Sequence, residues 1–450
     1  MDRIICTAMR IIAMCIVLFG AGAAGWLPVA AAEEDFAPMP GEQQLPLAMH
    51  AAMKDLPRIT VGRKDADLVG ADNRALQAAV DYIAGLGGGV VEIGEGEYLM
   101  HDSLHLRANV TVRGERGKTV LRKADGAVTP LTLDGDFGEE QITLKDARGF
   151  APGCGVTVWD DRAGGFHTTV ARITGQRGNT LAISTPLGAD CMVGNNARAA
   201  TVFPVVSGYD LQGVRVEGLT IDGNRQANVH LNGCRGAGIF LYRAFGTVIE
   251  GCTVRNFNGD GISFQQSNDV SVVDCLSEDN ASLGIHPGSG SQRPTVRRCT
   301  ARGNGEDGLF LCWRVRFGTF EDNLLEQNGR FGISIGHKDS DNLLRRNRVR
   351  RNGQDGVFFR DETPGMAAHH NRLEENTIED NGTASPAAGI RVRGDTNGLI
   401  FRGNVIRDTR PEASRTQTTG ILIEERVAEV TLDRNAIEAK TPIDDRRPGK

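Results

Sequence analysis

Cationic side chains that could move a proton and neutralise a carboxylate recur in the C-terminal half of the chain. His286 precedes Pro287 and a Gly-Ser loop, His337 and Lys338 form a dipeptide, and Arg360 follows. Imidazole is a common general base near neutral pH, and guanidinium or ammonium groups hold carboxylates. These residue types could therefore abstract the proton beside a carboxylate, which is the chemistry of elimination and epimerisation.

Carboxylates offer a competing chemistry. Asp260, Asp307 and Asp355 each precede a glycine, and Asp361 and Glu362 are adjacent. Two carboxylates on one surface can hydrolyse a glycosidic bond when they are spaced for a general acid and a general base. Asp before glycine is also common in turns, so a purely structural role for the first three stays open.

The elements that position these residues follow from a repeat. Six glycines open Gly-[Ile/Leu/Val]-x-x phrases at steps of 23, 23, 24, 24 and 24 residues, and wider steps lead to two more at Gly389 and Gly420. The first six are Gly238, Gly261, Gly284, Gly308, Gly332 and Gly356. Short apolar strands with Gly and Asn between them at this period predict a parallel β-helix, in which each repeat is one coil.

Two further columns support this register. One contains three cysteines followed by asparagines, and its members are Cys252, Cys275, Cys299, Asn323, Asn347, Asn376, Asn404 and Asn435. The other contains asparagines alone, namely Asn258, Asn280, Asn304, Asn328 and Asn352. Asn suits turns and can bond from coil to coil. We expect the three cysteines to point inward as small buried residues, since no CxxC spacing accompanies them.

Stacked coils bring the outward residues after each glycine into one strip. Its members are Tyr242, Arg243, Gln265, His286, Phe310, Trp313, Arg314, His337, Lys338, Arg360, Asp361, Glu362, Arg391 and Arg393. At about 4.8 Å per coil, His286 would lie roughly 10 to 14 Å from His337, Lys338 and Arg360. Aromatic and cationic groups suit sugars and carboxylates, so the strip predicts a groove for an acidic polysaccharide. A solvated strip without a ligand is the alternative.

The N-terminus predicts export. Arg3 and Arg10 flank a short basic region, an apolar run follows, and Ala30 to Ala32 fit a small-residue cleavage site, so residues 1–32 are interpreted as a signal peptide. The mature protein is expected to be secreted or periplasmic, monomeric and free of membrane contact. A net charge of −6 argues against nucleic-acid binding.

The rest of the chain divides by its periodicity. Residues 33–60 are predicted as a leader, 61–134 as a capping helix and the first coils, and 135–204 as an inserted β subdomain. Residues 205–440 are the main coils, followed by a tail at 441–450. The helix is predicted from an N-cap at Asp72 and amphipathic spacing after it. Cys154 and Cys191 lie outside the repeat, and a disulfide between them stays open.

The segment from Asn73 to Tyr98 and the phrase Leu219-Thr-Ile-Asp-Gly-Asn224 resemble the pectate-lyase-like superfamily of right-handed parallel β-helix proteins. That resemblance implies an all-β fold and covers most of the mature chain. The superfamily includes lyases, polygalacturonases, epimerases and adhesins, so it does not imply one reaction. Asn258-Gly-Asp260 is similar to one polygalacturonase element whose other parts are missing, and His286-Pro287 resembles, in reversed order, the Asp-Pro-His of mannuronan epimerases.

The sequence favours a lyase or epimerase of a uronate polymer. In this interpretation His286 or His337 is the base, and Arg360, Arg314 or Lys338 neutralises the uronate carboxylate. Calcium is another candidate for neutralising this carboxylate, but the sequence specifies no cofactor and no metal ligand. An inverting hydrolase using Asp260, Asp307, Asp355 or the pair Asp361 and Glu362 is the first alternative. A non-catalytic glycan-binding protein is the second.

Overall fold

Short strands from successive turns of the chain stack into three parallel sheets. This computed structural model describes residues 55–449, so the predicted signal peptide and most of the predicted leader lie outside the described residues. Within that range the first sheet has 13 strands, the second 11 and the third 12. A parallel β-helix built from three sheets results, and the predicted fold class is confirmed.

The strands of each sheet recur once per coil. The first sheet contains Arg58–Gly62, Leu68–Val69, Gly89–Ile93, Val110–Gly114, Arg215–Glu217, Val248–Glu250, Ser271–Val273, Thr295–Arg297, Thr319–Glu321, Leu343–Arg345, Arg372–Glu374, Leu399–Arg402 and Val430–Asp433. The second contains Gly96–Met100, Thr119–Lys123, Thr220–Asp222, Thr253–Arg255, Leu276–Glu278, Thr300–Arg302, Leu324–Glu326, Arg348–Arg350, Thr377–Glu379, Val405–Arg407 and Ala436–Glu438. The third contains Leu104–His105, Val206–Gln212, Ala237–Phe245, Asp260–Gln265, Ile285–Ser289, Leu309–Phe310, Cys312–Trp313, Ile333–Ile335, Val357–Phe359, Ala387–Val392, Gln417–Ile423 and Thr441–Asp445.

In-register stacking explains the glycine repeat. Ile285 pairs with Leu309, and Leu309 pairs with Ile333, and all three side chains are at most 1% exposed. The glycines that open these strands lie where the next coil approaches closely. A Cβ on Gly308 would lie only 2.9 Å from the carbonyl oxygen of Gly332. Packing between coils, and not only chain flexibility, therefore requires glycine there.

The cysteine column points into the core as predicted. Cys252, Cys275 and Cys299 are at most 2% exposed, and their thiols donate to carbonyl oxygens of the preceding coil. Hydrogen bonding between neighbouring thiols, together with burial, raises the pKa of Cys275 and of Cys299. All three cysteines are therefore packing residues, and the thiols of Cys275 and Cys299 are protonated. Cys154 and Cys191 are also free thiols, so they form no disulfide with each other.

The asparagine columns form hydrogen-bonded ladders. Asn328 Nδ2 donates to Asn352 Oδ1 at 2.9 Å, and Asn323 Nδ2 donates to Asn347 Oδ1 at the same distance. The ladder that contains Asn328 and Asn352 continues beyond its predicted end through Asn381 to Gln417. Each rung satisfies buried polar groups that would otherwise lack partners.

Asn258 does not belong to its predicted ladder. The backbone N–H of Phe257 occupies that position and donates to Asn280 Oδ1 at 3.0 Å. The amide of Asn258 instead donates to the carbonyl oxygen of Asn228 at 2.7 Å. The prediction was wrong by one residue, because the shared spacing does not reveal which of two adjacent residues faces inward.

One helix, Asn73–Gly85, covers the N-terminal end of the core. Asp72 caps it by accepting a hydrogen bond from the backbone N–H of Arg74 at 2.9 Å. Its buried face consists of Leu76, Ala79, Val80 and Ile83, each 0% exposed. Without this face the first coil would expose apolar residues to water. No helix among residues 55–449 is long and apolar enough to cross a bilayer.

A six-stranded antiparallel sheet interrupts the coils and carries its own apolar cluster. Its strands are Val128–Pro130, Gln141–Thr143, Gly155–Trp159, Thr169–Arg177, Thr180–Ile183 and Arg198–Ala200. The described chain also contains four short 3₁₀ turns, namely Gly165–His167, Val193–Asn195, Arg225–Ala227 and Glu412–Ser414. We call the segment from 128 to 200 the inserted subdomain.

Candidate functional site

The outer face of the third sheet carries most of the predicted site residues. Strand pairing aligns one outward residue of each coil into what we call the outer row. Its members are Ser207, Phe240, Ser263, His286, Phe310, Ser334, Phe358 and Arg391. The row crosses the coils at right angles to the strands, as the sequence register predicts.

The middle of the outer row is covered. Ser263, His286 and Ser334 are at most 2% exposed, although their side chains point away from the core. Ser263 Oγ donates to the carbonyl oxygen of Gly233 at 2.6 Å, which places the segment 223–236 over this face. The prediction of an open strip was wrong here, because sequence spacing does not show where a loop folds back.

His286 is held by a buried carboxylate. Its Nδ1 lies 2.7 Å from Asp260 Oδ2, and Asp260 Oδ1 accepts the backbone N–H of Leu283. The other ring nitrogen, Nε2, is buried and has no hydrogen-bond partner among the described residues. Asp260 favours the tautomer that carries its proton on Nδ1, which leaves the Nε2 lone pair free to accept a proton.

Phe310 joins His286 to Arg360. The ring of Phe310 makes an edge contact with the imidazole at 5.2 Å between centroids, and the Arg360 guanidinium lies 4.6 Å from the centroid of the same ring. Arg360 Nη2 donates to the carbonyl oxygen of Leu311 at 2.6 Å, and Nη1 donates to Ser334 Oγ at 2.8 Å. Both terminal nitrogens therefore already have protein partners.

Asp339 completes this cluster and was not predicted from the sequence. It is 0% exposed, and its Oδ2 lies 3.1 Å from Arg360 Nη2. Burial raises the pKa of Asp339 to about 7, against the opposing charge of Arg360 and two backbone hydrogen bonds. Arg360 thus lies beside a carboxyl group that titrates near neutral pH.

His337 lies in a second chain of polar contacts. Its Nδ1 is 3.1 Å from Cys312 Sγ, and its Nε2 is 2.7 Å from Glu362 Oε1. Burial, together with the charge of Arg360, lowers the pKa of His337, while Glu362 opposes that shift. Burial raises the pKa of Cys312 to about 12. Both ring nitrogens are engaged, so His337 has no bare atom comparable to Nε2 of His286.

The three aspartates before glycines share one structural contact. Asp260, Asp307 and Asp355 each accept, through Oδ1, a backbone N–H of the next coil. Burial raises the pKa of Asp307 to about 6 and also raises the pKa of Asp355. Asp307 differs in that its buried Oδ2 has no partner among the described residues. The shared contact stabilises the stacking of coils.

Asp361 and Glu362 do not act as a pair. Asp361 forms ion pairs with Arg393 and Arg426, whereas Glu362 contacts His337. Each carboxylate therefore has a different partner. Nothing in this arrangement places the two beside a common open space.

A cationic corner groove lies where the third sheet turns towards the first. The cavity measures about 600 Å³, and its lining includes Gly290, Arg314, Arg316, Lys338, His369 and His370. Arg314 and Lys338 are exposed, and neither has an acidic partner among residues 55–449. The exposed Trp313 lies at the same corner, with its ring 5.6 Å from that of His337. The groove combines unpaired positive charge with an aromatic surface.

The remaining predicted residues lie elsewhere on this face. Tyr242 packs beside Tyr209, with 6.4 Å between the ring centroids, and Arg243 forms an ion pair with Asp210. Gln265 is 1% exposed, with its Nε2 donating to Ser263 Oγ. The last two arginines are paired with acids, Arg391 with Asp355 and Arg393 with Glu424.

The sequence of these coils identifies a family. The model of the right-handed β-helix region matches residues 212–364 and 318–437, which together span just over half of the chain. The protein belongs to the right-handed β-helix family. A search of curated protein sequences finds no match.

Solved structures share this fold at low identity. The A-module of mannuronan C-5 epimerase AlgE4 from Azotobacter vinelandii superposes on the right-handed β-helix protein with a TM-score of 0.53 at 17% identity, covering 86% of this chain and 98% of that chain. The Dettilon tailspike protein gives a TM-score of 0.57 at 12% identity, covering 84% of this chain and 62% of that chain. At such identities the likeness establishes the fold.

Sequence reasoning missed Asp339 and Cys312. Asp339 directly follows the predicted residue Lys338, and Cys312 directly precedes the predicted residue Trp313. Asp339 occupies the same offset from its opening glycine as Ser291, and both accept a backbone N–H of the residue 24 positions earlier, so this column was a signal that could have found Asp339. For Cys312 only adjacency to Trp313 could have indicated it. No group of three or more His, Cys, Asp or Glu side chains within residues 55–449 is arranged to hold a metal ion.

Proposed function

We propose that this right-handed β-helix protein acts on an acidic, uronate-containing polysaccharide and removes the proton at C5 of a uronate residue. The observation that carries this proposal is the contact of His286 with Asp260, which leaves Nε2 of His286 without a partner. An imidazole oriented by a carboxylate is a general base, as in other acid–base sites.

Removal of the C5 proton can be followed by either of two reactions. In β-elimination the C5–H electron pair forms the C4–C5 double bond while the C4–O bond breaks and its oxygen takes up a proton. In epimerisation a proton returns to C5 from the opposite face. Both reactions begin with proton transfer to Nε2 of His286, and both require positive charge or a proton at the uronate carboxylate.

The corner groove supplies the charge that an acidic polymer needs. Arg314 and Lys338 have no acid partners among the described residues, so their charges are available to carboxylates. Gly290, which lines the groove, lies four residues beyond His286 on the same strand and its extension, a separation of roughly 13 Å. A chain of several sugars can contact both places, whereas one sugar cannot.

The reaction requires the cover over His286 to open. His286 is 2% exposed, and the segment 223–236 lies over the neighbouring Ser263. Closure over a bound substrate would exclude water from the base and strengthen its electrostatic environment. The proposal therefore includes movement of this segment when the polymer binds.

The solved relatives are consistent with a polysaccharide substrate. One of them is named as a mannuronan C-5 epimerase and another as a tailspike protein. The predicted signal peptide supports a secreted or periplasmic location, where such polymers occur. These points add to the site geometry and do not replace it.

Hydrolysis is the second candidate because of Asp307. Its Oδ2 has no partner among the described residues and its pKa is raised to about 6, as a general acid requires. However, Asp307 is 0% exposed and shares its backbone contact with Asp260 and Asp355. A structural role in coil stacking also accounts for the burial of Asp307.

A panel of uronate and neutral polymers tests the proposal. We expect the protein to generate unsaturated ends, seen by ultraviolet absorbance, or inverted C5 centres, seen by proton NMR, on a uronate polymer only. The His101→Ala variant, which changes an exposed histidine outside the covering segment and the corner groove, should keep this activity. New reducing ends without unsaturation would support hydrolysis, and binding without turnover would support a glycan-binding protein.

A further inference from the structure

A separate cavity lies between the inserted subdomain and the first coils. It measures about 440 Å³, within the range of small-molecule sites. Its lining residues include Asp102, His105, Arg107, Arg172, Ser207 and Tyr209. None of these residues was among the predicted site residues.

Three of these residues form a linked chain of contacts. Ser207 and His105 are direct partners on adjacent parallel strands, so their side chains project from the same face. Ser207 Oγ lies 3.2 Å from His105 Nδ1, and His105 Nε2 lies 2.9 Å from Asp102 Oδ2. Since Asp102 accepts the proton on Nε2, Nδ1 is the acceptor for the serine hydroxyl.

The surroundings fit a catalytic chain better than simple packing. Asp102 is buried, and Arg172 Nε also donates to its carboxylate, which fixes the orientation of that group. Within residues 55–449, the hydrogen bond of Ser207 Oγ is the one with His105. Ser263, in the same outer row, shows the usual alternative, since its hydroxyl donates to the carbonyl oxygen of Gly233.

We propose that Ser207, His105 and Asp102 form a second catalytic site that hydrolyses carboxylic esters, with O-acyl groups on sugar hydroxyls as the substrate class. A nucleophile, a base within hydrogen-bond reach and a group that orients the base are the parts that acyl transfer needs. This activity is independent of proton removal by His286.

The reaction balances with water as the co-reactant. Ser207 Oγ attacks the carbonyl carbon while its proton moves to His105 Nδ1. The tetrahedral intermediate collapses, the ester C–O bond breaks, and the departing sugar hydroxyl takes the proton from His105. Water, deprotonated by His105, then attacks the acyl-serine and releases the carboxylic acid, which restores Ser207.

The walls of the cavity suit this substrate. Arg107 and Arg172 line the cavity and are paired with Asp81 and Asp102. The guanidinium N–H groups that these pairs do not use are the donors available to a developing oxyanion, whose stabilisation is the main electrostatic requirement of acyl transfer. Tyr209 is 42% exposed and offers a surface on which a sugar ring can stack. A smaller cavity of about 200 Å³ shares Tyr209 and continues to Phe240 in the outer row. An acylated polymer could therefore lie along the outer row while it presents its ester here.

The test uses the full-length protein with p-nitrophenyl acetate, an acetylated polysaccharide and a fluorophosphonate probe. We expect one probe molecule per protein, mapped by peptide mass spectrometry to Ser207. Ser207→Ala and His105→Gln should each lower kcat/KM for p-nitrophenyl acetate by about 10³-fold. Ser414→Ala, which changes an exposed serine in the 3₁₀ turn Glu412–Ser414, outside the cavity, should keep wild-type hydrolysis and labelling.

The outcomes separate this proposal from the proposed function. Ser207→Ala should keep its activity on the uronate polymer, and His286→Ala should keep its ester hydrolysis. A wild-type protein that takes up no fluorophosphonate, or takes it up elsewhere, would overturn the proposal. So would a Ser207→Ala variant that hydrolyses the ester at the wild-type rate. Probe labelling of the wild type stays decisive if the variant does not fold.

Discussion

His286 combines a short contact to a buried carboxylate with a second ring nitrogen that has no partner among the described residues. His337 has both nitrogens engaged, by Cys312 and by Glu362. This difference could not be predicted from the sequence, which shows neither the partners of the two imidazole rings nor the loop that covers one of them. The free ring nitrogen favours His286 over His337 as the general base, because a base needs a free lone pair within reach of the proton.

The contact between Asp260 and His286 should set the tautomer of the base. We expect Asp260→Asn to lower kcat on the uronate polymer by about 10²-fold to 10⁴-fold with little change in KM. The variant should keep its fold, because the amide oxygen of Asn can still accept the backbone N–H of Leu283. A fall in activity accompanied by a matching loss of thermal stability would indicate that Asp260 has only a structural role.

Lys123 gives a stability prediction with a defined pH dependence. It is 1% exposed, and burial lowers its pKa from 10.5 to about 7. Between these values the unfolded chain binds more protons than the folded protein, so the free energy of unfolding rises with pH across this window. Lys123→Met should therefore be more stable than the wild type at pH 7, by on the order of 3 kcal/mol.

Denaturant unfolding at several pH values measures this effect. The advantage of Lys123→Met should shrink as the pH rises from 7 towards 10 and should disappear near the upper value. Lys118→Met is the matched control, because the exposed Lys118 pairs with Glu115 at the surface. An advantage for Lys123→Met that does not change with pH would contradict the titration argument.

At the scale of elements, coil stacking was predictable and loop placement was not. The glycine period fixed the pairing of Ile285, Leu309 and Ile333, because an in-register stack repeats the same contact in every coil. The cover over Ser263 could not be predicted, since the segment 223–236 has no equivalent in other coils. Ser334 shows the same limit, because its side chain points outward and yet is buried in contact with Arg360.

The asparagine ladder should contribute to stability only where its members are in register. Asn328 accepts hydrogen bonds from Asn304 and donates to Asn352, so Asn328→Ala leaves buried partners unsatisfied. We expect a loss of about 2 to 3 kcal/mol in the free energy of unfolding. Asn258→Ala, which removes one contact outside the ladder, should cost clearly less. Equal losses in thermal or denaturant unfolding would contradict this register.

At the scale of the whole molecule, the corner groove contrasts with the ion-paired outer face of the second sheet. On the second sheet, Arg302 pairs with Glu278 and Arg350 pairs with Glu326. Arg314 and Lys338 at the corner groove lack such partners among residues 55–449. The net charge of −6 makes this local excess of positive charge the natural place for an anionic chain to bind.

Binding of the polymer should therefore depend on the corner groove and on salt. We expect Arg314→Ala and Lys338→Ala each to raise KM by about tenfold at low ionic strength with a small effect on kcat. The difference from the wild type should decrease as salt is added. Arg302→Ala, in which the lost charge is already paired, is the control. A similar rise in KM for that control would contradict a specific groove.

Loss of the C5 proton from the uronate polymer in D₂O, followed by NMR, tests the central claim most directly. Elimination removes this proton and epimerisation exchanges it for deuterium, whereas hydrolysis leaves it in place. The account predicts that wild type and Asp307→Asn lose the C5 signal, while a folded His286→Ala variant leaves it intact. A fully active His286→Ala variant beside an inactive, folded Asp307→Asn variant would contradict the account and support hydrolysis.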